Sequence, residues 1–224
     1  ENFQHTPMHI VHGEWDRSVG GGVPVAHSIS MSQGLAERGF AHEYLPVPEC
    51  GHGCSTPETL KAAVAWMLRQ RKSHDPDDVR LVVPWLRHSR SYWVCVEALT
   101  VYGQPATVQA RRDAGAVTVT TSGAAALALG PSSSGGSFEL TVDGTALGSI
   151  DLAVTTRYAR DDDGSWRLET EAPDRRKRPG VSGPISDLFI EGTILVPGTA
   201  GTEEETFFNQ WVADHAVGYF RHRN

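Results

Sequence analysis

The chain has 224 residues, of which 39% are hydrophobic and 21% charged, and carries a formal net charge of −7. This composition fits a globular protein and excludes a disordered chain, and no apolar run reaches the roughly 20 residues needed to span a bilayer. The acidic balance argues against a nucleic-acid partner, since phosphate binding needs clustered cations. The one basic run, Arg175-Arg176-Lys177-Arg178, is read as a solvated loop.

Residues 1–73 alternate strand and helix patterns. The opening Glu1 to Pro7 has neither an initiator methionine nor a signal-peptide pattern, and it runs almost at once into an apolar strand. The chain is therefore expected to begin inside a domain, which leaves its compartment undetermined. Met8 to His12 predicts a strand ending at Gly13. Pro24 suits the first turn of a helix, because its φ is already fixed and its missing N–H costs nothing there; the helix is expected over 24–38, with Gly39 as its stop. His42 to Val47 predicts a second strand, closed by Pro48. Ser55-Thr56-Pro57-Glu58 resembles a capping box opening a second helix. That helix puts Leu60, Ala63, Val64, Met67 and Leu68 on one stripe and ends in the cations Arg69 to Lys72.

The periodicity then changes. Residues 74–78, His-Asp-Pro-Asp-Asp, are read as a polar hinge. Residues 79–172 show the period of two that marks strands, at Val79–Leu86, Tyr92–Leu99, Ala106–Arg111, Ala116–Thr121, Ala124–Leu129, Ser137–Val142 and Asp151–Tyr158. Asp143-Gly144 and Asp163-Gly164 are hairpin-turn signals. Such a series predicts a mainly antiparallel, sandwich-like all-β domain. Trp85, Tyr92, Trp93 and Trp166 are read as its core in preference to a sugar-stacking platform. Residues 173–224 are read as an irregular segment with the apolar patch Leu188-Phe189-Ile190, followed by a helix from Glu203 to Phe220. No cap or breaker follows it, so the chain is expected to stop short of a natural end.

Two residues of the first segment carry chemistry. Asp16 lies just past the end of the first strand, and His52, within Gly51-His52-Gly53, lies just past the end of the second. Functional groups gather beyond the carboxyl ends of parallel strands, so neighbouring strands would bring this carboxylate and imidazole together. The acid would then fix the tautomer of the imidazole and stabilise its protonated form. A metal at His5, His9 and His12 is disfavoured, because positions three apart on a strand face opposite sides. Cys50, His52 and Cys54 have ligand-type side chains but no second ligand pair. Of the three cysteines, Cys50 and Cys54 are close enough in sequence to pair across a tight loop, although the odd total favours free thiols.

The combination His12-Gly13-Glu14-Trp15-Asp16-Arg17-Ser18-Val19, then Ser28, Leu35, Gly39, Glu43-Tyr44 and Gly51-His52-Gly53, resembles the last third of the prolyl oligopeptidase catalytic domain. The resemblance covers residues 5–72. It implies an α/β C-terminal fragment of an α/β-hydrolase domain, with Asp16 as the triad acid and His52 as the general base of a serine peptidase acting on peptides or esters. It implies neither a metal nor an organic cofactor. Two departures stand out: Gly20-Gly21-Gly22 lengthens the loop after Val19, and Arg17 stands where many relatives carry an acid. Residues 79–199 are more loosely similar to a β-rich extension found in some bacterial relatives, at Leu86-Arg87, Tyr92-Trp93-Val94 and Arg176-Lys177-Arg178-Pro179-Gly180 through Gly183-Pro184-Ile185-Ser186-Asp187.

A nucleophile serine in G-x-S-x-G, which this chemistry requires on a sharp turn, occurs nowhere in the sequence. Gly180-Val181-Ser182-Gly183 comes nearest but follows the histidine. The chain by itself is therefore expected to be catalytically incomplete. The competing expectation is a non-catalytic protein whose β-rich domain binds glycan or protein, joined to a degenerate hydrolase remnant.

Overall fold

The structure, a computed structural model, describes residues 2–17, 21–54, 56–170, 179 and 194–223. The basic run 175–178, the Gly180–Gly183 stretch, the patch 188–190, Ser18, Val19, Gly20 and Ser55 lie outside the described residues. Packing divides the chain into two units, Glu1–Pro179 and Gly180–Asn224.

The first unit opens with strand β1 (Met8–Gly13), helix α1 (Val25–Glu37), strand β2 (His42–Val47) and helix α2 (Pro57–Arg69). β1 and β2 pair in parallel, from Met8 opposite His42 to Gly13 opposite Val47. Pro24 occupies the N-cap of α1, one position before the helix begins. The cap of α2 is Thr56: its hydroxyl accepts from the Thr59 amide at 3.2 Å, and Thr59 Oγ1 accepts from the Thr56 amide at 3.0 Å. The box therefore starts one residue later than the sequence suggests, with threonine in the place expected of glutamate.

The stripe expected to bury α2 does not do so. Trp66 is its buried residue, with its ring 5.1 Å from that of His9, while Leu60, Val64, Met67 and Leu68 are exposed. Periodicity identifies an apolar stripe, but what lies opposite the helix decides whether that stripe is covered.

Ten further strands follow: β3 (Asp78–Val83), β4 (Arg90–Ser91), β5 (Val94–Leu99), β6 (Ala106–Asp113), β7 (Ala116–Ser122), β8 (Ala124–Leu129), β9 (Ser137–Val142), β10 (Thr145–Asp151), β11 (Thr156–Arg160) and β12 (Trp166–Glu169). They form two five-stranded sheets, ordered β10-β9-β7-β6-β3 and β12-β11-β8-β5-β4. All pairings within these sheets are antiparallel except β7 with β9. One core, including Val79, Leu81, Trp93, Val96, Val108, Leu127, Leu140 and Ile150, draws side chains from both.

The expected fold class is corrected by this architecture. The chain does not have the fold of an α/β-hydrolase fragment: it is mostly β, with twelve strands in three sheets and three α-helices among the described residues. Among the described residues, β1 and β2 pair only with each other, so the alternating grammar of the first segment ends as a two-stranded sheet. Individual strands also move. Val79–Leu86 divides at Pro84 into β3 and a 3₁₀ turn, Leu86–His88. Tyr92 and Trp93 form a turn before β5, with Tyr92 at φ 51°. Asp151–Tyr158 is the end of β10, a turn and the start of β11. Asp143-Gly144 does close a hairpin, with both residues at positive φ (49° and 82°). Trp93 and Trp166 belong to the core, whereas Trp85 is exposed.

Sheet edges are managed by side chains. The N-terminal segment lays amides along β3, the last strand of its sheet: Asn2 accepts from the Val82 N–H at 2.7 Å and donates to the Val82 carbonyl at 2.9 Å, and Gln4 accepts from the Arg80 N–H at 3.0 Å. His5 Nε2 donates to the Asp78 carbonyl at 2.6 Å. These groups satisfy edge positions that would otherwise invite another strand.

A polar cluster ties residues 74–78 to the sandwich. Arg112 of β6 donates to Asp77 Oδ1 at 2.8 Å and to Ser132 Oγ at 2.6 Å, and Ser132 donates in turn to the Asp75 carboxylate. Burial would raise the Asp75 pKa, but the hydroxyls of Ser134 and Ser132, the Ser134 amide and the Arg112 charge outweigh it and bring it to about 2. A native value below the unfolded one means that the stabilisation is complete above the ordinary aspartate range and is lost as pH falls through about 2. Allowing for solvent screening, the contribution is roughly 1–2 kcal/mol. Denaturant titrations near neutral pH and in strong acid should show that much less pH dependence for Asp75→Asn than for the unsubstituted protein.

The second unit contains helix α3 (Glu203–Arg223). Thr202 and Glu205 form its capping box, with the Thr202 N–H donating to Glu205 at 2.8 Å and the Glu205 N–H to Thr202 Oγ1 at 3.3 Å. Trp211 lies between the rings of Phe208 and His215 along one side. Among the described residues, no helix is long and apolar enough to cross a membrane.

Candidate functional site

Because β1 and β2 run parallel, their carboxyl ends emerge side by side. The chain leaving β1 is fastened to the chain leaving β2: Glu14 N–H donates to the Val47 carbonyl at 3.0 Å and Trp15 N–H to the Cys50 carbonyl at 2.9 Å. Asp16 closes a turn on the Gly13 carbonyl at 3.1 Å. The result brings together residues 36 positions apart, with His52 Nδ1 3.2 Å from Asp16 Oδ2.

The two side chains differ in exposure. The Asp16 side chain is 8% exposed and that of His52 is 65% exposed. The carboxylate can only accept, so the contact places the His52 proton on Nδ1 and leaves Nε2 as the basic nitrogen on a reachable ring. Among the described residues, no side chain is hydrogen-bonded to that Nε2.

A second imidazole reaches the same oxygen. His12 Nε2 is 3.2 Å from Asp16 Oδ2 and 3.0 Å from the Val23 carbonyl. Both are acceptors, so Nε2 carries a proton, and Nδ1 lies 2.6 Å from Ser28 Oγ of α1. The Val23 N–H donates to Asp16 Oδ1 at 3.1 Å. Burial opposes ionisation of Asp16, but the His52 hydrogen bond and charge, the Val23 amide and His12 together hold its carboxyl below the ordinary aspartate value.

Sequence reasoning singled out Asp16 and His52, whereas His12 entered it only at the head of the resembling stretch and as a disfavoured metal ligand beside His5 and His9. The structure separates these three: His5 binds a backbone carbonyl of β3, His9 lies 3.8 Å from Glu43, and only His12 enters the site. The available signal was His12 at the end of β1, four residues before Asp16. Among the described residues, no group of three or more His, Cys, Asp or Glu side chains is arranged to hold a metal.

The cysteines also differ from expectation. Cys50 and Cys54 are joined in a disulfide that encloses His52, and the free thiol is Cys95, buried in the sandwich. Parity says nothing about which pair lies within bonding distance. Gly13 shows how tightly this loop sits: a Cβ there would collide with the Cys50 and Gly51 carbonyls and with Cys54 Sγ. A Cβ at Gly22 would likewise run into Asp16 Oδ1. Gly13→Ala is expected to cost about 1–3 kcal/mol, as overpacking does, and to displace the loop. Thermal unfolding together with the His52 ring resonances measures both effects.

The pair opens into a cleft of about 470 Å³, whose lining includes Val11, His12, Asp16, His52, Leu60 and Ala63. Its apolar wall comes from β1 and α2, and its polar end is the carboxylate with two imidazoles. Such a site can orient a base and stabilise the cation formed when that base takes a proton. Comparison of the chain with known protein families, with curated protein sequences and with solved structures finds no significant match.

Proposed function

We propose that Asp16 and His52 are the acid and general base of a serine-hydrolase apparatus, most simply a peptidase of prolyl oligopeptidase type, whose nucleophile lies outside this chain. The supporting observation is the Nδ1-to-carboxylate contact at 3.2 Å between a buried acid and an exposed imidazole. The residue-level resemblance supports the same assignment, and the overall fold plays no part in it. In this reading, His52 Nε2 takes the proton of an incoming serine hydroxyl as that oxygen attacks a peptide or ester carbonyl. His52 then returns the proton to the leaving group, while Asp16 holds the ring and stabilises the imidazolium. Each step is a proton transfer or acyl transfer and calls on no cofactor. The alternative of a glycan- or protein-binding β domain gains nothing from Trp93 and Trp166, which are buried, and keeps Trp85 as an exposed indole.

The isolated chain is expected to hydrolyse neither activated esters nor peptide anilides, since loss of the serine alone costs on the order of 10⁶ in turnover. It should also form no adduct with a serine-directed organophosphonate. Turnover together with such an adduct on the isolated chain would place a nucleophile within it and overturn the assignment.

A further inference from the structure

We infer that the Cys50–Cys54 disulfide is a reversible redox site that holds His52 against Asp16, so that reduction by a dithiol disengages the pair. The inference rests on the acid–base reading above and supplies its regulation. The bond closes a short ring around Gly51-His52-Gly53, the segment that presents the imidazole. Both ends of the ring are anchored. The Cys50 carbonyl accepts from Trp15 N–H at 2.9 Å, and the Cys54 carbonyl accepts from Thr56 N–H and Thr59 Oγ1, each at 3.0 Å. Beneath it, the Cys50 and Gly51 carbonyls and Cys54 Sγ pack against Gly13 in the space a Cβ would fill.

Between these anchors the disulfide is the only covalent restraint on His52 beyond the backbone, and glycines flank the histidine on both sides. Glycine has the widest conformational freedom of any residue, so an open Gly-His-Gly segment has many alternatives to the paired geometry. Two separate thiols also require van der Waals separation, which bonded sulfurs do not, and the loop has to absorb the difference. Releasing so short a ring is expected to lower the ratio of paired to unpaired His52 on the order of tenfold.

The chemistry balances with a dithiol as the two-electron donor. Cys54 is only partly buried and is one of the residues lining the cleft, so it is the sulfur through which a reductant would enter. A reductant thiolate attacks Cys54 Sγ, the Cys50–Cys54 bond breaks, and Cys50 leaves as a thiolate that takes a proton from water. The second thiol of the reductant then displaces Cys54 from the mixed disulfide, leaving two protein thiols and an oxidised reductant. Cys95 is buried, and burial pushes its thiol pKa up, so it stays out of the exchange.

The test follows the His52 ring nitrogens by long-range proton–nitrogen correlation in the oxidised protein, then after dithiothreitol, with thiol content measured in parallel. The oxidised protein should show the Nδ1–H form of His52. Reduction should shift it towards the Nε2–H form preferred by free histidine, with sandwich amide signals unchanged, and reoxidation should reverse the shift. The double variant Cys50→Ser/Cys54→Ser should resemble the reduced protein. A His52 signature unchanged after two thiols appear, or a disulfide that resists the reductant in the folded protein, would overturn the redox inference alone. Absence of the Nδ1–H form from the oxidised protein would instead remove the acid–base reading on which it stands.

Discussion

If Asp16 and His52 act as proposed, replacing Asp16 with asparagine is expected to lower kcat about 10⁴-fold, in a polypeptide that also carries the nucleophile, with little change in KM. Two donors converge on this carboxylate, from His52 and the Val23 amide, and His12 Nε2 lies 3.2 Å from it. An asparagine has one accepting oxygen, so its NH₂ group must face at least one of them. If it faces His52, the ring accepts at Nδ1 and carries its proton on Nε2, the tautomer that cannot act as a base. Steady-state kinetics on peptide anilides, together with the His52 tautomer, separates this effect from a folding defect. His52→Ala should cost on the order of 10⁶ in kcat. An Asp16→Asn variant within tenfold of the unsubstituted rate would mean that the carboxylate does not govern the base. Because the Asp16 carboxyl is held below its ordinary value, it stays ionised at neutral pH. A loss of activity near neutral pH would therefore report another group.

Trp93→Ala should cause the largest loss of stability in the sandwich, about 3–5 kcal/mol, or on the order of 10 °C in Tm. The ring is fully buried in the core shared by both sheets. Its Nε1–H donates to the Pro76 carbonyl at 2.8 Å, and its carbonyl accepts from Gly130 N–H at 2.7 Å. The Arg112 guanidinium lies 6.0 Å from its ring centroid. Truncation thus opens a cavity, leaves the Pro76 carbonyl without its donor, and removes one wall around a buried cation. Trp93→Phe keeps most of the volume and should cost less. Trp85→Ala, at a residue 48% exposed, should change stability by about 0.5 kcal/mol or less. Calorimetric melts of the three variants check this order, and equal losses for Trp93→Ala and Trp85→Ala would refute it.

Legibility varied with the strength of local pattern. β6 was plain because its side chains alternate buried and exposed along its whole length. β10 was missed because its register shifts between Ala146 and Gly148, which breaks the alternation that pattern reading relies on. β12 has only four residues, too few to show a period. The fold class failed for a different reason. The strand–helix alternation of the first segment was real but continued for only two strands, while the β-rich remainder dominates the chain. At the site, Asp16 and His52 were legible because strand ends are local features. His12 was not, because its role depends on Val23 and Ser28 arriving from a loop and a helix.

The sequence by itself determined where most strands and helices lie, which turns are tight, and which acid and imidazole follow the first two strands. Those properties come from backbone preference and side-chain alternation within a few residues. Only the tertiary structure decided that β1 and β2 pair with no other strand among the described residues, that Trp66 rather than the Leu60–Leu68 stripe is the buried face of α2, and that Cys50 meets Cys54 around His52. It also decided that one carboxylate serves two imidazoles. Each of these depends on which surfaces meet, and packing between distant segments sets that, where no local pattern is able to record it.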